Sequence, residues 1–66
     1  MAILKVIEIM SNSTKSWEDA TAKGVAKASK TVKNIKSAFV QSQSVTVDKG
    51  KVKDYRVTLK LSFEVL

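Results

Sequence analysis

Hydrophobic and polar residues follow different patterns along this chain, and each pattern predicts one kind of element. Residues 3–10 are almost continuously apolar and rich in β-branched side chains, which is typical of a strand covered on both faces. Residues 55–65 alternate between apolar and polar side chains, which predicts a strand with one buried and one solvated face. Before them, residues 35–47 form a long extended segment whose polar middle, residues 41–44, is a candidate bulge.

A helix is predicted after the first strand. Ser16 precedes an acidic first turn as a candidate N-cap, and the Ser16-x-x-Asp19 spacing resembles a capping box. Asn34 is the candidate residue for ending the helix. Apolar and small residues recur at helical spacing, namely Trp17, Ala20, Gly24, Val25, Ala28, Val32 and Ile35. Because several of them are small, we expect the helix to lie close against a sheet.

The order of these elements predicts an α+β fold built from a β-α-β-β unit. A right-handed crossover makes the first two strands parallel, and Asp48-Lys49-Gly50 predicts a hairpin that makes the third strand antiparallel to the second. With the third strand in the middle, a three-stranded antiparallel-type sheet of order 1-3-2 wraps on one helix. The helix covers one face only, so we expect identical copies to cover the apolar surface that is left.

Composition limits the chemistry that the chain can perform. Its 66 residues, predicted to form a single domain spanning residues 1–66, include no cysteine and no histidine, which excludes disulfides, zinc–thiolate sites and a catalytic imidazole. No catalytic triad, nucleotide loop or metal-ligand cluster is present, so we do not expect an enzyme. A core of this size supplies only about 3–5 kcal/mol, and oligomerisation is the stabilising device that remains.

The charge of the chain predicts anionic partners. Twelve Lys and Arg residues stand against six Asp and Glu, which gives a net charge of +6. Eleven of the twelve are lysines, which argues against sequence-specific DNA reading. A lysine-rich helix face formed by Lys23, Lys27, Lys30 and Lys33 is either a phosphate or nucleic-acid footprint or simply a solvated surface. The first ten residues are too short an apolar run for a signal peptide or a membrane span, and we expect a cytoplasmic protein.

The chain resembles the dodecin family over almost its full length. The resemblance lies in the order and spacing of several short segments: residues 5–9 (KVIEI), Ser13-x-x-Ser16-Trp17-Glu18-x-Ala20, Val25-x-x-Ala28, Thr31-Val32-x-Asn34-Ile35, Tyr55-Arg56-Val57 and Ser62-Phe63. Members of that family have the β-α-β-β fold, assemble into hollow homododecamers, and in many cases bind flavins in stacked pairs between subunits. The resemblance therefore implies a dodecameric shell with riboflavin, FMN or FAD as its ligand.

The same resemblance implies candidate site residues. In flavin-binding members a tryptophan near the start of the second strand sandwiches the flavin, and the matching residue here is Ser37. A glutamine on the third strand that bonds the ring edge is matched by Arg56, and Phe39 lies near Ser37 on the same predicted face. Because an aromatic stacking surface is missing, weak or absent flavin binding is expected. Lys5, Lys27 and Lys33 are candidates for binding the phosphates of FMN, FAD or coenzyme A.

Three functions are thus consistent with the sequence. The first is a homododecameric flavin-binding and storage protein, with no membrane partner. The second is the same shell without tight flavin binding, acting as a scaffold or binding another anionic metabolite such as coenzyme A. The third, from a different class, is non-specific nucleic-acid binding through the lysine-rich helix face.

Overall fold

A computed structural model describes residues 3–65, so the ends of the predicted 1–66 domain lie outside the described residues. It contains three strands and one helix. They are β1 (Ile3–Ser13), α1 (Trp17–Ala28), β2 (Ile35–Asp48) and β3 (Lys51–Val65). The predicted β-α-β-β order is confirmed.

The three strands form one sheet in the order β1-β3-β2, as predicted. β3 lies in the middle and runs antiparallel to both neighbours, so β1 and β2 point in the same direction. Leu59 marks the centre of the sheet, where it lies opposite Ile9 on one side and Val40 on the other. The register shifts between Val40 and Ser42, which places the predicted bulge at Gln41.

The core lies between α1 and the apolar face of β3. Val57, Leu59 and Leu61 are fully buried there, together with Ala20 of the helix. These β3 residues are two positions apart and therefore point to one side of the strand, which confirms the alternating pattern. At the two ends of that side Tyr55 and Phe63 are only half-buried.

The β2–β3 hairpin turns at Lys49 and Gly50. Both residues have positive φ, 52° and 77°, which is the backbone of a two-residue type I′ turn. Because both strands are longer than α1 can cover, the subunit is elongated, with extents of 50 × 19 × 14 Å. Three exposed lysines lie at or beside the turn, Lys49, Lys51 and Lys53. We call this region the hairpin tip.

The N-terminus of α1 is capped as predicted, although not by a reciprocal capping box. The Ser16 side chain accepts a hydrogen bond from the Asp19 amide at 2.9 Å. The Asp19 carboxylate does not reach back to Ser16. Instead it accepts a hydrogen bond from the Ser13 hydroxyl at 2.5 Å and forms an ion pair with Lys23 Nζ at 3.1 Å. Asp19 therefore ties the end of β1 to the first two turns of the helix.

The helix ends at Ala28, so the prediction that it continues to Asn34 is wrong. The Ser29 hydroxyl donates to the Val25 carbonyl at 2.8 Å, and the Thr31 hydroxyl donates to the Ala28 carbonyl at 3.4 Å. Such hydroxyls compete with the next backbone amides for the helix carbonyls, and the chain leaves the helix through a tight turn. Asn34, with φ of 63°, lies at the start of β2 rather than at the helix end.

Gly24 is the point of closest approach between α1 and the sheet. A Cβ atom on it would lie 3.1 Å from both Leu59 Cδ1 and Ser11 Cβ, and Leu59 is fully buried and has little room to move. The predicted close packing is confirmed, and it explains a glycine inside a helix.

Gly24→Val is expected to destabilise the protein by about 1–3 kcal/mol, because the added atoms must push α1 off the sheet. Urea unfolding measures the loss. Ala22→Val is the matched control, since Ala22 lies on the same helix with an exposed side chain and carries the same β-branching cost. Equal losses in the two variants would mean that Gly24 is not a packing contact.

The Asp19 cluster predicts a loss of stability in acid. The hydrogen bond from Ser13 and the interaction with Lys23 lower the pKa of Asp19 below its ordinary value of 3.8. A carboxyl whose pKa is lowered in the folded state stabilises it fully above the ordinary pKa, and this contribution is lost as the pH falls below 3.8. Unfolding midpoints measured between pH 5 and pH 2 should therefore fall less steeply in Asp19→Asn than in the unmodified protein.

The control is Glu18→Gln, which removes the neighbouring carboxylate of the same helical turn. Within residues 3–65 the Glu18 side chain makes no hydrogen bond or ion pair, so this variant should keep the steep dependence on pH. If Asp19→Asn and Glu18→Gln gave the same profile, the Asp19 contacts would not account for the acid lability.

Candidate ligand-binding face of the sheet

The sheet has one face against α1 and one face without a helix, which we call the open face. On β3 the open face carries the polar members of the alternating pattern, from Asp54 to Glu64. Antiparallel partners lie on the same face, so the register assigns the residues of β1 and β2 that join them. The assigned residues are Leu4, Val6, Glu8, Met10 and Asn12 on β1, and Ser37, Phe39, Ser42, Ser44 and Thr46 on β2.

Large apolar side chains are exposed on this face. The exposed fractions are 54% for Leu4, 56% for Val6, 62% for Met10 and 65% for Phe39. A single exposed apolar side chain is common, but four on one sheet face form a surface of the kind that proteins use for association. The prediction that one helix leaves apolar surface on β1 uncovered is confirmed.

Ser37 and Phe39 are neighbours on the open face, as predicted. Ser37 lies opposite Ser62, and the hydroxyls of the two residues are hydrogen-bonded to each other. Phe39 lies opposite Lys60. Ser37, the position that the resemblance matches to a tryptophan, thus forms a pair of hydroxyl groups with Ser62 beside the exposed phenyl ring of Phe39.

Arg56 also lies on the open face, but far from Ser37. Its Nε donates to Asn12 Oδ1 at 3.0 Å across the β1–β3 pair, and Ser44 lies opposite it on β2. Ser62, the partner of Ser37, lies six positions after Arg56 on β3, which is about 20 Å in an extended strand. One copy of the chain therefore does not bring Arg56 together with Ser37 and Phe39.

The three candidate phosphate-binding lysines lie elsewhere. Lys5 lies opposite Phe63, on the face of the sheet that carries α1. Lys27 is in the last turn of α1, and Lys33 is exposed in the connection between α1 and β2. Because α1 ends at Ala28, the predicted lysine-rich helix face is also shorter than expected: Lys23 and Lys27 lie on the helix, whereas Lys30 and Lys33 follow it.

Trp17 packs rather than forming an open stacking surface. Its ring meets the ring of Tyr55 edge-on, with 5.3 Å between centroids, and its Nε1 donates to the Ser44 carbonyl at 3.0 Å. These contacts join the start of α1 to the β2–β3 hairpin. This packing agrees with the place of Trp17 among the apolar residues at helical spacing.

Two residues of the open face, Asn12 and Ser62, were not identified as site residues from the sequence. Both are partners of predicted site residues, and only the register of the sheet reveals them. Among residues 3–65, no three Asp or Glu side chains come close enough to form a metal site. The same residues contain no helix with the length and hydrophobicity of a membrane span.

Comparison with known proteins agrees with this architecture. The family described as Dodecin matches residues 3–66. The chain belongs to the dodecin family. Calcium dodecin of Mycobacterium tuberculosis is 38% identical to it over 65 residues, which cover 98% of this chain and 92% of that protein.

Solved dodecin structures share the fold. Dodecin from Streptomyces coelicolor superposes with a TM-score of 0.94 at 25% identity, covering 98% of this chain and 93% of its own. The crystal structure of calcium dodecin, a calcium-chelating antigen of M. tuberculosis, gives 0.85 at 40% identity, with coverages of 97% and 91%. As a dodecin, the chain is a small ligand-binding protein, and that relative binds calcium according to its name.

Proposed function

We propose that this dodecin assembles into a hollow homododecamer and binds flavin at the interfaces between subunits. Its affinity for flavin is lower than that of family members that carry a tryptophan at the position of Ser37. The observation that carries the proposal is the open face, where exposed apolar residues and the candidate site residues lie on the same surface. A partner that covered Val6 and Met10 would also enclose Ser37 and Phe39.

The position of Arg56 also favours a site shared by more than one copy. It is too far from Ser37 in one chain for a single planar ring system to touch both. Its bond to Asn12 uses Nε and leaves both terminal nitrogens as donors. A guanidinium held in this way can donate hydrogen bonds to the edge of a flavin ring or to a phosphate bound at the interface with another copy.

The candidate phosphate-binding lysines need the same arrangement. Lys5 and Lys27 belong to the side of the sheet that carries α1, whereas Ser37 belongs to the open face. A flavin nucleotide with its ring against Ser37 would therefore reach Lys5 or Lys27 only on another copy. FMN should accordingly bind the assembled protein more tightly than riboflavin does, and the difference should shrink with added salt.

Fluorescence titration of riboflavin and FMN with the assembled protein tests the proposal. Quenching that saturates at micromolar protein, with one flavin per chain or fewer, is the expected result. Emission that stays unquenched would contradict flavin binding, but it would not contradict the dodecameric assembly.

The same shell without flavin is the second candidate function. The Ser37–Ser62 hydroxyl pair favours it, because two hydroxyls offer no surface for stacking an isoalloxazine ring. Coenzyme A is then a candidate ligand, as is calcium, which the M. tuberculosis relative binds according to its name. Since no acidic cluster forms among residues 3–65 of one copy, calcium would need carboxylates from several copies. Calorimetric titration with each ligand separates these cases.

Non-specific nucleic-acid binding is the weakest of the three proposals. The lysine-rich helix face is divided by the end of α1, and Lys23 is already paired with Asp19. A gel-shift assay with duplex DNA at low salt tests it, and the absence of any shift would eliminate it.

A further inference from the structure

A second concave surface lies along the edge of β1, whereas Ser37 and Phe39 lie on β2 at the other edge of the sheet; its lining includes Met10 and Asn12 of the open face as well as residues of the helix side. It is an open groove of about 710 Å³ between α1 and β1, which we call the edge groove. Its volume lies within the range of small-molecule sites. In the described sheet β1 pairs with β3 only, so the other edge of β1, which borders the groove, offers unpaired backbone donors and acceptors.

The lining of the edge groove has an apolar part and a positively charged part. Its apolar part consists of side chains from β1, the end of α1 and the following turn, namely Ile7, Ile9, Met10, Ala28 and Val32. Its charged part consists of Lys23, Lys27 and Lys30. Within the described part of the chain no Asp or Glu lines the groove, although Asp19 pairs with Lys23 from outside it.

Two of these lysines are available to a ligand. Lys27 and Lys30 form no ion pair with any residue in the range 3–65. They are not needed to cap the helix either, since the Val25 and Ala28 carbonyls already accept bonds from Ser29 and Thr31. The groove therefore combines an apolar lining with the ammonium groups of Lys27 and Lys30, which are unpaired within residues 3–65.

The charge of the chain argues against a second copy as the occupant. The hairpin tip of another copy carries Lys49, Lys51 and Lys53 beside a single acidic residue, Asp48, so its net charge has the same sign as the groove lysines. Pairing two β1 edges would bring the two sets of groove lysines near each other, with the same cost. An occupant with negative charge and an apolar body is complementary to both parts of the lining.

We propose that the edge groove binds an amphipathic anion, a molecule with one apolar chain or ring and a phosphate, sulfate or carboxylate head. The apolar part lies along Ile7, Ile9 and Val32, and the head group is bound by Lys27 and Lys30. The apolar part of this site is separate from the ring site proposed at Ser37 and Phe39, whereas Lys27 is a candidate in both, for the FMN phosphate and for this head group.

Calorimetry with the assembled full-length protein tests the proposal, with dodecyl phosphate below its micelle concentration as the probe. Saturable binding of one molecule per chain is expected. Dodecanol lacks the charge and inorganic phosphate lacks the chain, so each should bind at least about tenfold more weakly, which corresponds to about 1.4 kcal/mol.

Two matched double variants locate the site. Lys27→Gln with Lys30→Gln should weaken dodecyl phosphate binding at least tenfold, whereas Lys49→Gln with Lys51→Gln removes the same charge at the hairpin tip and should leave it unchanged. Equal losses in the two variants would show a general charge effect and overturn the proposal. So would equal affinities for dodecyl phosphate and dodecanol, or no binding of either.

Two further measurements distinguish the edge groove from a membrane-binding surface and from the flavin site. If the protein sediments with anionic phospholipid vesicles but shows no saturable binding of dodecyl phosphate, the lysines act on membrane surfaces and the groove proposal is wrong. Riboflavin has no phosphate, so its titration should be the same in the Lys27→Gln, Lys30→Gln variant. A parallel loss of riboflavin and dodecyl phosphate binding would contradict two separate sites.

Discussion

Replacing Val6 and Met10 together by lysine is expected to dissociate the assembled protein into smaller species. Both side chains are more than half exposed in one copy and lie on the open face, which we propose is covered by other copies. Burying an unpaired lysine at such a subunit interface reduces the free energy of association by several kcal/mol, and the loss is repeated in every copy. Size-exclusion chromatography with light scattering measures the change.

The control for that variant adds the same charge at positions where no subunit interface is expected. Ala22→Lys with Ala26→Lys places two lysines on exposed positions of α1, and this protein should keep its original mass. If the Val6→Lys, Met10→Lys protein also kept its original mass, the open face would not be the surface through which the copies associate.

Ser37→Trp is expected to increase the affinity for riboflavin at least tenfold. Stacking of a planar base on an aromatic side chain is worth about 1–3 kcal/mol, which corresponds to a factor of about 5 to 160 for each ring face. Ser37 is exposed, and among residues 3–65 the hydroxyl pair that it forms with Ser62 is the only side-chain hydrogen bond that the substitution removes. Quenching of riboflavin fluorescence gives the affinity.

Ala38→Trp is the matched control for the stacking prediction. Ala38 is the next residue of β2, is also exposed, and lies opposite Leu61 on the other face of the sheet. A tryptophan there should not strengthen riboflavin binding. If Ser37→Trp gave no increase either, or if both variants gave the same increase, the flavin site would have been assigned to the wrong face.

The β2–β3 pairing and the buried face of β3 were predictable from the sequence, because both depend on patterns that are local. Strict alternation from Tyr55 to Val65 fixes which side of β3 is buried, and the short turn at Asp48-Lys49-Gly50 fixes its neighbour. The apolar character of β1 on both faces correctly indicated that α1 leaves apolar surface uncovered.

The end of α1 was not predictable from the spacing of apolar residues. Val32 remains at helical spacing after the chain has left the helix, so the pattern continues where the structure does not. At the end of α1 the Ser29 and Thr31 hydroxyls donate to the Val25 and Ala28 carbonyls, in addition to the backbone amides that those carbonyls already accept. Both residue types disfavour helix interiors, and that signal was present in the sequence.

The candidate site was predictable only in part. That Ser37 and Phe39 share a face follows from their spacing, and the register confirms it. The bond from Arg56 to Asn12 joins residues 44 positions apart, and no local pattern indicates such a contact. The long separation of Arg56 from Ser37 likewise depends on the register of the whole sheet.

We propose that copies of this chain complete one another and that ligands bind at the interfaces between them. Native mass spectrometry at micromolar concentration measures the size of the assembly. One dominant species of twelve 7.2 kDa chains, about 86 kDa, is expected. A folded, stable monomer of 7.2 kDa under the same conditions would contradict it.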